Sequence, residues 1–167
     1  MLVVASAAAG PAAPQDATIF PLFVAVLLGG AIGFEREWNG KPAGLRTNII
    51  VCLGAAAFTL LARNLTGADA SSRVMQGIIA GVGFLGAGVL IQGGSSVHGM
   101  TTAAGIWLVT SIGIACGQQM YQVAVTVTFM ALLTLLGLSP LVRWIRRIRP
   151  VGENGHTKSI PHDNGAR

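Results

Sequence analysis

From Val74 to Val142 the chain contains no Lys, Arg, Asp or Glu, and His98 is the one side chain in that stretch that titrates near neutral pH. A soluble fold has no way to cover its surface with such a run. Globular domains carry about 25% charged residues, whereas this 167-residue chain carries 10%, against 52% apolar. Such segments avoid water by crossing lipid. Unpaired peptide groups are too costly there, and five segments would make an open sheet with bare edges, so the segments must be helices. The predicted fold is an all-α polytopic membrane protein, and the length suits one compact unit.

Five spans are expected, at about 18–34, 47–62, 74–91, 99–116 and 121–142. The second is short. Sixteen helical residues cover about 24 Å, against roughly 30 Å of hydrocarbon. Either its ends reach into the flanking loops, or the bilayer thins around it. Together the spans form a closely packed five-helix domain over 17–142.

Basic residues near the spans set the orientation. Loop 35–46 holds Arg36, Lys41 and Arg46, and the C-terminal segment holds Arg143, Arg146, Arg147, Arg149, Lys158 and Arg167. Five spans put both regions, with loop 92–98, on one side. That side carries nine basic residues, and the other carries Arg63 and Arg73 alone. The positive-inside rule then predicts a cytoplasmic C-terminus and an external N-terminus. Four spans would set the two basic regions on opposite sides.

The net charge of +5 comes largely from the arginines that follow the last apolar run. This is a membrane flank, not a nucleic-acid surface. Residues 1–16 lack a basic n-region and read as a flexible extracytoplasmic tail, with an inefficient signal peptide as the alternative. Segment 143–149, RWIRRIR, suits the lipid interface, and helix five either ends there or lies along it. The polar remainder to Arg167 reads as a disordered cytoplasmic tail, in which His156 and His162 are incidental. Cys52 and Cys116 lie within apolar segments, without metal-ligand spacing, and read as small apolar residues.

Several of the 23 glycines recur four apart within the spans: Gly29 with Gly33, Gly77 with Gly81, and Gly113 with Gly117. The run GVGFLGAG adds Gly83, Gly86 and Gly88. Small residues on one face let helix backbones approach closely. The second reading is a broken third span whose exposed carbonyls line an ion path. No Lys-Ser/Thr follows these glycines, so they do not form a phosphate loop.

Polar groups gather at three boundaries. Glu35, Arg36 and Glu37 end the first span. The cation suits a helix C-terminus and the glutamates do not, so a partner such as Lys41 or Arg46 folding back is expected, with Pro42 and Gly44 shaping a tight turn. On the opposite side Asp69 and Arg73, four apart, permit an ion pair on one turn. Thr101 and Thr102 open the fourth span and can cap it or bond to a neighbour. With His98 they share the predicted cytoplasmic face with Glu35 and Arg46, and one polar patch results if these loops converge. Ser95, Ser96 and His98 lack an acidic orienter, and Glu35 and Asp69 fall on opposite faces, so no catalytic constellation, metal site or cofactor is expected.

Three ordered stretches carry a family resemblance: GGAIGFEREWNGKPAGLRTNI (29–49), SRVMQGIIAGVGFLGAGVLI (72–91) and VHGMTTAAGIWLVTSIGIACG (97–117). Over roughly 20–140 the chain resembles the N-terminal membrane domain of the MgtC/SapB family. The resemblance implies a bacterial inner-membrane protein linked to magnesium limitation, acid tolerance and survival in phagocytes. It also implies a regulator of a membrane complex, with the rotary ATP synthase as one such partner. The family's polar positions map onto Glu35, Arg36, Lys41, Arg46, Asp69, Arg73, Thr101 and Thr102. MgtC-type members often carry a soluble C-terminal αβ module, whereas only the short tail follows Pro150 here. His98 stands where the family often has a basic residue. If that position reads charge, histidine makes it acid-responsive.

Two functions are carried forward. One is a non-enzymatic regulatory or interaction protein, possible as a homo-oligomer. The other is a transporter or channel for magnesium or another cation. No span offers a midspan Asp or Glu, which cation transport normally uses. Backbone carbonyls at glycine breaks are the substitute that the second function would require.

Overall fold

The computed structural model describes residues 16–63, 65, 69–91 and 99–148, with backbone alone at 16–18, 91 and 139–148. The expectations for tail 1–15, for loop 92–98 with His98, and for 149–167 fall outside the described residues.

Five helices follow one another: α1 (Asp16–Trp38), α2 (Leu45–Arg63), α3 (Ala70–Ile91), α4 (Met100–Gly117) and α5 (Tyr121–Ile148). No strand occurs among the described residues, and all five helices are long and apolar enough to cross a membrane. The differences from expectation are at the ends. The second span reaches 19 residues, or about 28 Å, by recruiting polar residues at both ends. Helix α1 runs on through Glu35 and Arg36 to Trp38, so both charges lie in its last turns and not in a loop. Helix α3 is unbroken through the GVGFLGAG run, which removes the broken-span reading. Helix α5 continues through 143–148.

Helix α4 packs against each of the other four helices, while α3 touches only α2 and α4, and α5 only α1 and α4. The core is made of small and medium side chains: Ala25, Ile32, Cys52, Ala56, Val109, Ile112, Cys116 and Ala124. Lipid is as apolar as leucine, so close fit has to hold these helices together. Four glycines provide it, and all four face α2. A Cβ added at Gly29 would meet Cys52 Cβ at 2.7 Å, and one at Gly33 would meet Leu45 Cα at 2.8 Å. From α4, a Cβ at Gly113 would collide with Cys52 O, and one at Gly117 would meet Thr59 Cβ at 2.6 Å. Helix α2 is therefore pressed between α1 and α4, with Cys52 at both crossings.

The buried threonines raise no polar debt. Thr59, Thr110 and Thr128 each donate to the carbonyl four residues back, at 2.7, 2.9 and 2.8 Å. Phe20 meets Tyr121 edge-on at 5.3 Å and ties the starts of α1 and α5. Large apolar side chains such as Phe23, Phe34, Phe58, Phe84 and Phe129 point outward, as lipid-facing groups do.

Candidate functional site

The polar site forms where α1 ends, α2 begins and α4 begins. Gly40 has φ of +61°. Lys41 N donates to Arg36 O at 3.0 Å, and Gly40 N to Glu37 O at 3.0 Å. This is a Schellman closure with glycine in the left-handed position. It turns the chain sharply after Trp38 and brings the first turn of α2 against the last turns of α1.

Arg36 is 3% exposed, and its Nη2 donates to Thr102 Oγ1 at 2.8 Å. Thr102 is equally buried. The end of α1 and the start of α4 thus meet at Arg36 and Thr102. Glu35 is 7% exposed. Its Oε1 accepts from Asn39 Nδ2 at 2.8 Å, and the same amide donates to Glu35 O at 3.0 Å. Glu35 Oε2 is buried and has no hydrogen-bond partner. An orphan of this kind needs an explanation in a native protein. A proton, a water or a small cation would each supply one.

Glu37 corrects an expectation. Its partner is neither Lys41 nor Arg46, both of which are exposed. Glu37 Oε2 accepts from Leu45 N at 2.9 Å. A carboxylate unfavourable at the C-terminus of α1 is favourable at the N-terminus of α2, where free amides await an acceptor. To reach Leu45 the side chain passes over Gly44, and a Cβ there would collide with Glu37 Oε2. Asn48, in the first turn of α2, donates from Nδ2 to Ala43 O at 2.9 Å and Gly44 O at 2.7 Å. Asn39 and Asn48 were not singled out in the sequence. An amide following the Ala-Gly turn was the available signal for Asn48.

The two threonines part company. Thr101 is exposed, and Thr102 bonds across to α1 instead of capping its own helix. The cap residue of α4 is Gly99, with φ of +93° and no side-chain cap bond. At the other end of the bundle Asp69 and Arg73 are both exposed and joined through the backbone, Arg73 N donating to Asp69 O at 3.0 Å. An exposed pair of this kind gains little from charge contact. Of the glycines expected to pack, Gly29, Gly33, Gly113 and Gly117 do so tightly, and a Cβ added at Gly86 would meet Ala103 Cβ at 3.6 Å, an ordinary contact. Nothing lies within 4 Å of a Cβ added at Gly77, Gly81, Gly83 or Gly88. Spacing of four marks a face, which Gly77, Gly81 and Gly88 share and Gly83 does not, but it does not bring a neighbouring helix into contact with that face. Among the described residues no group of three His, Cys, Asp or Glu side chains gathers.

The sequence profile of the MgtC family matches residues 22–144. The chain is 38% identical to protein MgtC of Salmonella typhimurium strain LT2, over 85% of this chain and 61% of that protein. It is 40% identical to protein SrpB of Synechococcus elongatus, over 77% of this chain and 79% of that protein. It is 40% identical to protein MgtC of Brucella abortus, over 71% of this chain and 50% of that protein. The chain thus spans about three fifths of the length of the Salmonella MgtC relatives, at 61%. No solved structure matches it. The polar cluster and the four packed glycines all lie within the profile match, and the chain belongs to the MgtC family.

Proposed function

We propose that this chain is a non-enzymatic protein of the bacterial inner membrane that binds and tunes another membrane complex when magnesium is limiting or the cell is acid-stressed. The N-terminus is outside and the C-terminus cytoplasmic in this reading, which the uneven arginine distribution supports. The carrying observation is where the charge sits. Arg36 and Glu35 are buried at one end of the bundle, where Arg36 is latched to Thr102, while the core between the ends is apolar. A conducting path for a divalent cation needs polar groups along its length, whereas the buried latch holds in place the α1–α2 turn, where Glu37, Lys41 and Arg46 are exposed for a partner to read. The rotary ATP synthase is the first partner to test.

One observation favours the second reading, cation handling. Glu35 Oε2 is a buried carboxylate oxygen with a free coordination position. Purified protein in sealed vesicles separates the two. Magnesium or proton flux that disappears in Glu35→Gln supports transport. Absence of flux, with capture of one defined membrane complex that is lost in an inserted Arg36→Ala variant, supports regulation. Neither flux nor capture would sink both.

A further inference from the structure

We propose that Trp38, Arg143 and Arg147 form a headgroup site for one anionic phospholipid at the seam of α1 and α5, with an acyl chain along the outer face of α5. The site stands whether or not a partner complex reads the α1–α2 turn.

Helix register places these residues together. Phe20 on α1 meets Tyr121 on α5 edge-on at 5.3 Å. Eighteen residues make about five turns, so Trp38 returns to the face of α1 that Phe20 occupies, and position 139 to the face of Tyr121. The two helices start at the same end and pack together. Trp38 therefore comes level with position 139, and position 143 follows one turn later. Trp38 is 81% exposed, with its ring 6.0 Å from that of Phe34 below it. An exposed tryptophan in this position marks the border of the hydrocarbon.

The same count runs along α5. Val125, Phe129 and Leu136 are exposed and form one lipid-facing stripe. Positions 143 and 147 lie on that stripe, five turns beyond Val125 and Phe129, and both are arginine. The apolar crossing of α5 ends at Leu138, and position 143 is about 7.5 Å further along the helix. Headgroups add about 5–7 Å to each side of the hydrocarbon. The stripe thus turns from apolar to basic at the depth of the lipid phosphates.

Charge selects an anionic occupant. The acids described at this end are Glu35 and Glu37, and both are engaged. Glu35 is buried and its Oε1 holds Asn39, while Glu37 caps Leu45 N. A phosphate can accept two parallel bonds from a guanidinium. Continuity of the stripe selects a lipid, because a hydrocarbon tail leading to an anionic head matches apolar residues leading to arginines. A second copy meeting α5 through the same face would have the same orientation in the membrane and would set like arginines at one depth.

Native mass spectrometry of the detergent-purified, delipidated chain tests this, with phosphatidylglycerol and phosphatidylcholine of identical acyl chains as probes. The expected result is one retained phosphatidylglycerol and weaker phosphatidylcholine. Arg143→Ala should cut that preference by about fivefold, from roughly 1 kcal/mol per basic residue at a membrane surface. Arg143→Lys should keep most of it. Arg73→Ala, at the other end of the bundle, should leave it unchanged. Equal binding of both lipids, a preference intact in Arg143→Ala, or an equal loss in Arg73→Ala overturns the proposal. A dimer of the delipidated parent chain that Arg143→Ala dissociates also overturns it, by making a second copy the occupant.

Discussion

Arg36 Nη2 on α1 donates to Thr102 Oγ1 on α4 at 2.8 Å, between two buried side chains 66 residues apart in the chain. The charge of α1 is thereby answered by the helix that touches every other helix.

Thr102→Val removes the acceptor but keeps the shape. A buried guanidinium N–H is left unmatched, which costs about 1–3 kcal/mol or more. The expected outcome is a lower midpoint of unfolding in detergent, with Thr102→Ser close to the parent chain. A Thr102→Val midpoint equal to that of the parent would remove the latch from the account.

The glycines divide into two predicted classes. Gly113→Ala drives a methyl into Cys52 O, and Gly29→Ala sets one 2.7 Å from Cys52 Cβ. Overpacking of this kind costs about 1–3 kcal/mol. Gly83→Ala and Gly88→Ala meet nothing, and the better helix propensity of alanine should leave stability unchanged or raised by up to about 1 kcal/mol. Measuring all four midpoints in one detergent checks the division, and destabilisation of equal size in both classes contradicts it.

Glu37→Ala takes the acceptor from Leu45 N. Loss of a helix cap costs about 0.5–2 kcal/mol, and hydrogen exchange at the Leu45 amide should accelerate. Glu37→Gln keeps a carbonyl oxygen in place and should retain most of the protection. Unchanged exchange in Glu37→Ala would show that water caps α2 equally well.

Asn48→Asp is expected to be worse than Asn48→Ala. The native amide donates to two carbonyls, Ala43 O and Gly44 O. Alanine leaves both unpaired, and an ionised carboxylate can only accept, so it turns an attraction into a repulsion. The order of unfolding midpoints, Asn above Ala above Asp, is the test.

The number and order of helices were legible because missing charge is a strong signal and lipid permits few backbone solutions. Positions 35–37 stood out for the same reason. The partners did not. Whether Glu37 meets Lys41, Arg46 or an amide depends on how sharply the chain turns at Gly40, and the turn places α2 itself in reach. The Arg36–Thr102 bond depends on the path of α4, which no local pattern encodes. Gly29 and Gly81 look alike in the sequence because a spacing of four identifies a face without saying what stands opposite. Shared sidedness of Glu35 and Thr102 followed from counting spans, and contact between their turns needed the fold.

The bonds of the α1–α2 turn have consequences for biogenesis. Asn39 to Glu35, Leu45 to Glu37 and Asn48 to Ala43 all close within eight residues of chain. A hairpin leaving the ribosome can therefore complete them at once and insert as a pre-formed pair. The guanidinium of Arg36 has to wait at the membrane border until translation delivers Thr102. The last of these contacts to form thus verifies that the fourth helix has arrived in register.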